Sequence, residues 1–163
     1  MAGFVMIALL LAEVPSSAQQ MTATDQLIGT WRVVSLKATS GEKVTYPLGE
    51  KPDGCVTITP TRFCLLFVDS TRKPPATPTL TDAEAVAMMK TQVAWTGKYV
   101  TGEQTSEGLK ITAHVDAASS QAITGMDRAY FVRVDGSKAV FKSPGVIVPM
   151  TGAMSVVEET LPI

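Results

Sequence analysis

The chain has 163 residues, of which 45% are hydrophobic and 18% charged, and a formal net charge of −1. This length suits one domain with a real core and is too short for two ordinary domains. The composition excludes a disordered tail, and the balance of 14 basic against 15 acidic residues excludes a charge-driven binder of nucleic acid.

The first 18 residues are predicted to be an export signal. An apolar run spans Gly3 to Ala12, and the small residues Ser16 to Ala18 follow it. Because the run is too short to span a bilayer, we expect no stable membrane insertion after the signal is removed. Residues 19–163 then form a single secreted or periplasmic domain. A translation start at Met21 would instead make the protein cytoplasmic.

The first strand-like run, Leu27 to Lys37, contains the triplet Gly29-Thr30-Trp31. A tryptophan near the start of a small β-rich domain commonly plugs the closed end of a barrel, because its ring buries a large area at one point. The alternative is an ordinary core tryptophan. The triplet alone leaves both interpretations open.

Short β-type segments alternate with turn signals along the rest of the chain. This pattern predicts an all-β antiparallel meander, closed into a barrel or folded as a sandwich. Asp135-Gly136-Ser137 is a strong hairpin signal between two such segments. The predicted strands are Leu27 to Lys37, Lys43 to Tyr46, Cys55 to Thr59, Arg62 to Val68, Val93 to Glu103, Leu109 to Val115, Ala129 to Val134, Lys138 to Lys142 and Met154 to Thr160.

The chain has two cysteines, Cys55 and Cys64, on either side of the turn-like segment Thr59 to Arg62. Both are therefore expected in one hairpin. A cross-strand disulfide requires a register that brings the two α-carbons within about 7 Å. Two buried free thiols are the alternative.

One helix is expected to interrupt the strands near residues 82–92. Thr81-Asp82-Ala83-Glu84 has the sequence of a capping box, in which the first and last side chains bond free amides at a helix start. Val86, Met89 and Val93 follow helical spacing. We expect them to lay an apolar face across one end of the barrel.

Alternation predicts which side chains share a face of each strand. Trp95 and Tyr99 lie on one side of their strand, and we expect them to line a cavity. In the next strand His114 and Asp116 lie opposite the apolar positions, so His114 is expected to face outward. The apolar positions of that strand are Leu109, Ile111, Ala113 and Val115.

Six segments occur in an order and spacing that resemble the lipocalin-like domain family of bacteria and fungi. They are Gly29 to Ser35 (G-T-W-x-x-V-S), Tyr46 to Gly54 (Y-P-x-G-x-x-P-x-G), Trp95 to Tyr99, His114 to Ser119, Arg128 to Phe131, and Ser143-Pro144. The resemblance covers Leu27 to about Glu159. It implies a lipocalin-like β-barrel of about 8–9 strands with a cavity for a small, largely apolar molecule. It implies no particular activity, because the family is functionally diverse.

The last strand departs from the family pattern. It ends Val157-Glu158-Glu159-Thr160, where the family often has W-E-R. In true lipocalins a basic side chain from the last strand packs over the tryptophan of the G-x-W motif, and this chain has none there. Arg128 is the substitute candidate for packing over Trp31.

Few residues have the pattern of a chemical site. His114 is the only histidine, and no metal-binding spacing surrounds it, so neither a metal nor a cofactor is expected. Asp116 lies two residues away on the same face and is suited to orient His114 for acid-base work. The alternative is a half-exposed histidine bonded to its neighbours. Arg128 either meets a ligand carboxylate or carbonyl or extends to solvent.

Three functions remain open. The first is a non-catalytic binder of a small hydrophobic molecule. The second is an isomerase or cyclase of secondary metabolism that uses His114, Arg128 or Tyr130 in the same cavity. The third is a structural or interaction domain with a solid core. The ligand-binding candidates are Trp31, Trp95, Tyr99, His114, Arg128 and Tyr130.

Overall fold

The computed structural model describes residues 22–147 and 154–162. The predicted export signal and Met21 lie outside these residues. The described chain forms a single α-helix, α1 (Asp82–Lys90), and ten strands. The strands are β1 (Gly29–Arg32), β2 (Ser35–Ser40), β3 (Lys43–Thr45), β4 (Asp53–Ile58), β5 (Arg62–Val68), β6 (Gln92–Thr105), β7 (Gly108–Ala118), β8 (Asp127–Asp135), β9 (Lys138–Ile147) and β10 (Met154–Pro162).

All ten strands belong to one antiparallel sheet with the order β1-β4-β5-β6-β7-β8-β9-β10-β2-β3. The all-β antiparallel prediction is thus confirmed. Among the described strands the ladder does not close into a ring, because β1 and β3 remain its edges. Closure into a barrel stays a prediction.

The first predicted strand is in fact two strands, which raises the count from the expected 8–9 to ten. The break lies at Val33 and Val34. The amide of Val33 donates to the carbonyl of Gly54 in β4, and that of Val34 donates to the carbonyl of Thr160 in β10, both over 3.0 Å. Residues 33 and 34 therefore connect β1, at one edge of the sheet, to β2, which lies beside β10 near the other end of the strand order.

The buried apolar residues of the strands share one face, which we call the inner face. In β7 the alternation is as predicted, with Ile111, Ala113 and Val115 buried and His114 exposed. Trp95 in β6 is also buried on the inner face. This face holds the hydrophobic core.

The strands end in two different environments. At one end, which we call the turn end, lie the short connections at residues 59–61, 106–107 and 136–137. At the opposite end, which we call the helix end, lie α1 and the connection 119–126 between β7 and β8. The predicted Asp135-Gly136-Ser137 hairpin joins β8 and β9 at the turn end.

The capping box of α1 forms as predicted. The Thr81 hydroxyl accepts from the Glu84 amide at 3.3 Å, and the Glu84 carboxylate accepts from the Thr81 amide at 2.8 Å. The predicted apolar helix face forms only in part: no residue of α1 is buried against the described chain, whereas Val93, just after the helix, is partly buried against the core. Val86 and Met89 are each 51% exposed. Within the described residues, no helix is long and apolar enough to cross a membrane.

Cys55 and Cys64 lie in neighbouring strands of the β4–β5 hairpin, as predicted. Their register places Cys55 opposite Leu66 and Cys64 opposite Thr57, so the two cysteines do not face each other directly. Both are free thiols. The expectation that free thiols would be buried is wrong, because both side chains project from the exposed face of the sheet.

Gly97 marks a shift of register between β6 and β7. A Cβ atom at this position would lie only 1.8 Å from the backbone oxygen of His114. Glycine is therefore required for the two strands to approach each other here. The shift follows Trp95 by two residues and helps to set its position on the inner face.

Candidate functional site

Four aromatic rings cross the inner face in sequence. Phe63 meets Trp95 edge-on with ring centroids 4.8 Å apart, and Trp95 stacks on Tyr130 at 6.0 Å with an interplanar angle of 20°. Tyr130 in turn meets Phe141 edge-on at 6.4 Å. Because these rings come from β5, β6, β8 and β9, they form a partition across the interior.

On one side of this partition lies a small apolar space, which we call the inner cavity. Its volume is about 40 Å³, and its walls include Ile58, Leu65, Tyr99 and Leu161. A space of this size holds a few water molecules and no drug-sized molecule. The region around the inner cavity is therefore nearly filled by protein side chains, as the solid-core alternative expects.

On the other side, at the helix end, lies a larger space, which we call the outer pocket. Its volume is about 280 Å³, close to the lower end of the range for small-molecule sites. The side chains of Trp95, Tyr130 and Glu159 line both spaces. The remaining walls of the outer pocket include Leu36, Met89, Lys90, Val93, Ile123, Arg128, Ser143, Val146 and Val157.

Arg128 lies on the wall of the outer pocket. Its guanidinium carbon is 5.7 Å from the centroid of the Trp95 ring, which is the geometry of a cation–π contact. The proposed role of Arg128 as a cover for Trp31 is therefore wrong. Alternation along β8 places Arg128 and Tyr130 on the same face, so both reach the pocket.

Glu159 is a buried carboxyl group on the same wall. Burial raises its pKa from 4.5 to about 7, and the nearby positive charge of Arg128 opposes that rise. Burial, with a further contribution from Glu159, also raises the pKa of Tyr130 far above its ordinary value. The site thus combines a permanent cation, a neutral phenol and a carboxyl group that titrates near neutral pH.

Of the six predicted ligand-binding residues, three line the outer pocket, one lines only the inner cavity, and two line neither space. Trp95, Arg128 and Tyr130 line the outer pocket. Tyr99 lines the inner cavity, where its hydroxyl donates to the carbonyl of Thr59 at 2.7 Å. Burial raises the pKa of Tyr99.

Trp31 does not line either space. It is fully buried, and its indole nitrogen donates to the carbonyl of Leu27 over 2.8 Å. Leu27 shares a groove at the turn end with Leu109 and Val132. Trp31 is therefore part of the core near the turn end.

His114 lies on the exposed face of β7, away from both spaces. Its Nδ1 atom is 2.8 Å from a carboxylate oxygen of Asp127. Asp116, expected to orient the histidine, instead accepts a hydrogen bond from Arg62 at 2.6 Å. The structure therefore does not bring His114 together with Arg128 or Tyr130.

The pocket residues that the sequence did not identify as site residues include Ser143 and Glu159. Glu159 alternates in β10 with Val157 and Leu161, whereas its neighbour Glu158 faces outward and pairs with Lys37 over 3.3 Å. This alternation was the signal that would have placed the Glu159 carboxyl on the inner face.

A family model described as a lipocalin-like domain matches residues 28–156 of the chain. The match covers most of the described sheet. No curated protein and no solved structure matches the chain significantly.

Proposed function

Because the chain belongs to the lipocalin-like domain family, we propose that it is an exported binder that holds one small, largely apolar molecule in the outer pocket. The observation that carries this proposal is the outer pocket itself, about 280 Å³ in volume and walled mainly by apolar side chains. A few convergent polar groups in an apolar concavity are typical of small-molecule sites.

We further infer that the sheet rolls into a barrel. The support comes from Val33 and Val34, whose amides donate to β4 and to β10 respectively, so that one short stretch of chain touches both sides of the gap. In such an arrangement the inner face encloses the core. The turn end is covered by the segment 22–28, and ligand enters at the helix end.

Export is part of the same proposal. The apolar run Gly3 to Ala12 followed by small residues supports it. An extracytoplasmic barrel of this size would meet its ligand outside the cell or in the periplasm. Sequencing the amino terminus of the protein recovered from its host tests this step, since a start at Met21 would contradict export.

Binding is tested with N-phenylnaphthylamine, an uncharged dye whose emission rises in apolar surroundings. We expect saturation at one dye per chain. Ile123→Trp places a bulkier side chain in the outer pocket and should weaken binding by about tenfold or more, because pocket volume limits ligand size. Val100→Trp is the matched control, because Val100 is 67% exposed.

Two results would contradict the binding proposal. The first is no change in dye emission with the wild-type chain. The second is equal saturation of wild type and Ile123→Trp, which would place the dye outside the outer pocket.

A second candidate function is proton transfer, as in an isomerase. Glu159 favours it, because a buried carboxyl with a pKa of about 7 is suited to take a proton from carbon and to return one. Acetylnaphthalene is a suitable probe, since the methyl hydrogens next to its carbonyl exchange with solvent. Proton NMR in heavy water would show exchange faster than in buffer, lost in Glu159→Gln and kept in His114→Ala. Exchange no faster than in buffer would exclude this chemistry for that ketone.

A further inference from the structure

Two buried polar atoms of the outer pocket find no hydrogen-bond partner within residues 22–147 and 154–162. They are Nε of Arg128 and Oγ of Ser143. Ser143 is only 1% exposed, and both residues line the pocket. Burying a polar group without a partner is unfavourable, so native proteins seldom leave one unsatisfied. Both atoms have almost no exposed surface, so we infer that small rotations of their side chains bring them to a molecule in the pocket, which supplies the partner.

The two atoms and the Glu159 carboxyl belong to one wall. Arg128 comes from β8, Ser143 from β9 and Glu159 from β10, and these three strands are neighbours in the sheet. The register places Ser143 opposite Val157 and Glu159 opposite Phe141. Three polar residues on neighbouring strands thus line one pocket whose other walls are mainly apolar.

We propose that Arg128, Ser143 and Glu159 together bind the carbonyl oxygen of a neutral ketone whose remaining atoms are apolar. This inference rests on the binding function proposed above. The apolar part of the ketone would lie against Trp95 and Val157, and its oxygen would point at the three polar groups. The ligand class is thereby narrowed from apolar molecules in general to apolar ketones.

The hydrogen-bonding capacity of the three groups favours a carbonyl oxygen. The Nε–H group of Arg128 only donates, and the Ser143 hydroxyl is able to donate. A carbonyl oxygen accepts from both. A hydrocarbon would leave both groups unpaired, and a carboxylate would bring a second negative charge beside Glu159 whenever Glu159 is ionised.

The protonation state of Glu159 modulates this site. The charged or titratable groups around it are Arg128 and Tyr130 from β8, while Lys90 lines the same pocket from α1. The facing residues of β9 and β2, Phe141 and Leu36, do not titrate. Protonated Glu159 is a third donor to the carbonyl oxygen, so ketone binding should be strongest in mildly acidic solution.

The test compares three probes of nearly equal shape by equilibrium dialysis against the full chain at pH 6. Acetylnaphthalene carries the carbonyl oxygen, isopropenylnaphthalene replaces that oxygen with a methylene group, and naphthoate carries a negative charge. We expect the ketone to bind about tenfold more tightly than the alkene, because its oxygen accepts a hydrogen bond from the charged Arg128 and the methylene group does not.

Variants locate the selectivity on the protein. Ser143→Ala should reduce ketone affinity about fivefold, the value of one lost hydrogen bond, and leave alkene affinity within about twofold. Glu158→Gln is the matched control for Glu159→Gln, because Glu158 lies on the outer side of the same strand. Glu159→Gln keeps a neutral donor and should therefore keep ketone binding when the pH is raised to 8, where the wild type weakens.

Each outcome is decisive. Equal affinity for ketone and alkene would overturn the ketone assignment and leave the apolar-binding function intact. Tighter binding of naphthoate than of the ketone would show an anion site and would also overturn it. Failure of all three probes and of N-phenylnaphthylamine to bind would overturn the binding function itself.

Discussion

The two ends of the sheet differ in how completely their polar groups are satisfied. At the turn end the Trp31 indole bonds to the Leu27 carbonyl, and the Tyr99 hydroxyl bonds to the Thr59 carbonyl. At the helix end Nε of Arg128 and Oγ of Ser143, on the pocket wall, have no hydrogen-bond partner among residues 22–147 and 154–162. The contrast separates an end whose polar groups are paired within the chain from an end whose polar groups are left for the proposed ligand.

The largest expected loss of stability comes from a substitution at the turn end. Trp31→Ala removes a fully buried ring together with its hydrogen bond, and should lower the free energy of unfolding by about 3–5 kcal/mol. Urea denaturation followed by circular dichroism measures this change. Val100→Ala, at an exposed position, should stay within about 0.5 kcal/mol of wild type. A small effect of Trp31→Ala would show that the turn end is not the stable end.

The next effect is a pH dependence that originates at the helix end. Glu159 has a pKa of about 7 in the folded chain, against an ordinary value of 4.5. Between these values the folded chain binds a proton that the unfolded chain has released. The contribution of Glu159 to stability is therefore fully present below pH 4.5 and is lost as the pH rises through 7.

This loss amounts to about 3 kcal/mol at most. Urea denaturation at pH values from 4 to 8 measures it. Glu159→Gln should flatten the profile, whereas Glu158→Gln should keep the wild-type slope. A wild-type profile without this slope would mean that Glu159 is ionised in the folded chain.

Helix α1 provides a smaller and local effect. Thr81→Ala removes one side of the capping box and should cost the helix about 1 kcal/mol. Because none of its residues is buried against the described chain, global unfolding should hardly change. Hydrogen exchange of the amides in Asp82–Lys90 should accelerate while that of β7 stays the same. An equal loss in both would show that α1 and the sheet unfold together.

The smallest expected changes in stability come from deleting one hydroxyl group at each end of the sheet. Tyr99→Phe deletes a bonded hydroxyl and should destabilise the chain by about 1 kcal/mol. Ser143→Ala deletes an unpartnered one and should leave stability unchanged or slightly higher. Thermal unfolding of both variants makes the comparison. A clear loss in Ser143→Ala would mean that this hydroxyl is satisfied in solution without ligand.

Local sequence patterns predicted much of the fold. The alternation of β7 predicted which of its side chains are buried, and Thr81 with Glu84 predicted the start of α1. These predictions succeeded because period-two alternation and capping are properties of neighbouring residues. The break between β1 and β2 was not predictable in this way, since it depends on hydrogen bonds to the distant Gly54 and Thr160.

The candidate site was predicted only in part, because it depends on contacts between strands far apart in sequence. Trp95, Arg128 and Tyr130 were identified as individual residues, but their grouping around Glu159 requires three strands, β6, β8 and β10, to come together. His114 was a candidate through its chemistry alone, and its actual partner, Asp127, lies across a strand pair. Residue type indicated which side chains could take part in binding or catalysis. Which of these side chains meet depends on the register between the strands.

Gly97 limits how this chain can be redesigned. A methyl group at position 97 would collide with the backbone of β7, so this position must remain glycine whatever ligand is intended. Ile123, Val146 and Val157 already carry side chains that line the pocket, so they are the positions to vary. A mutant library for new ligands would therefore vary these three positions and leave the glycine untouched.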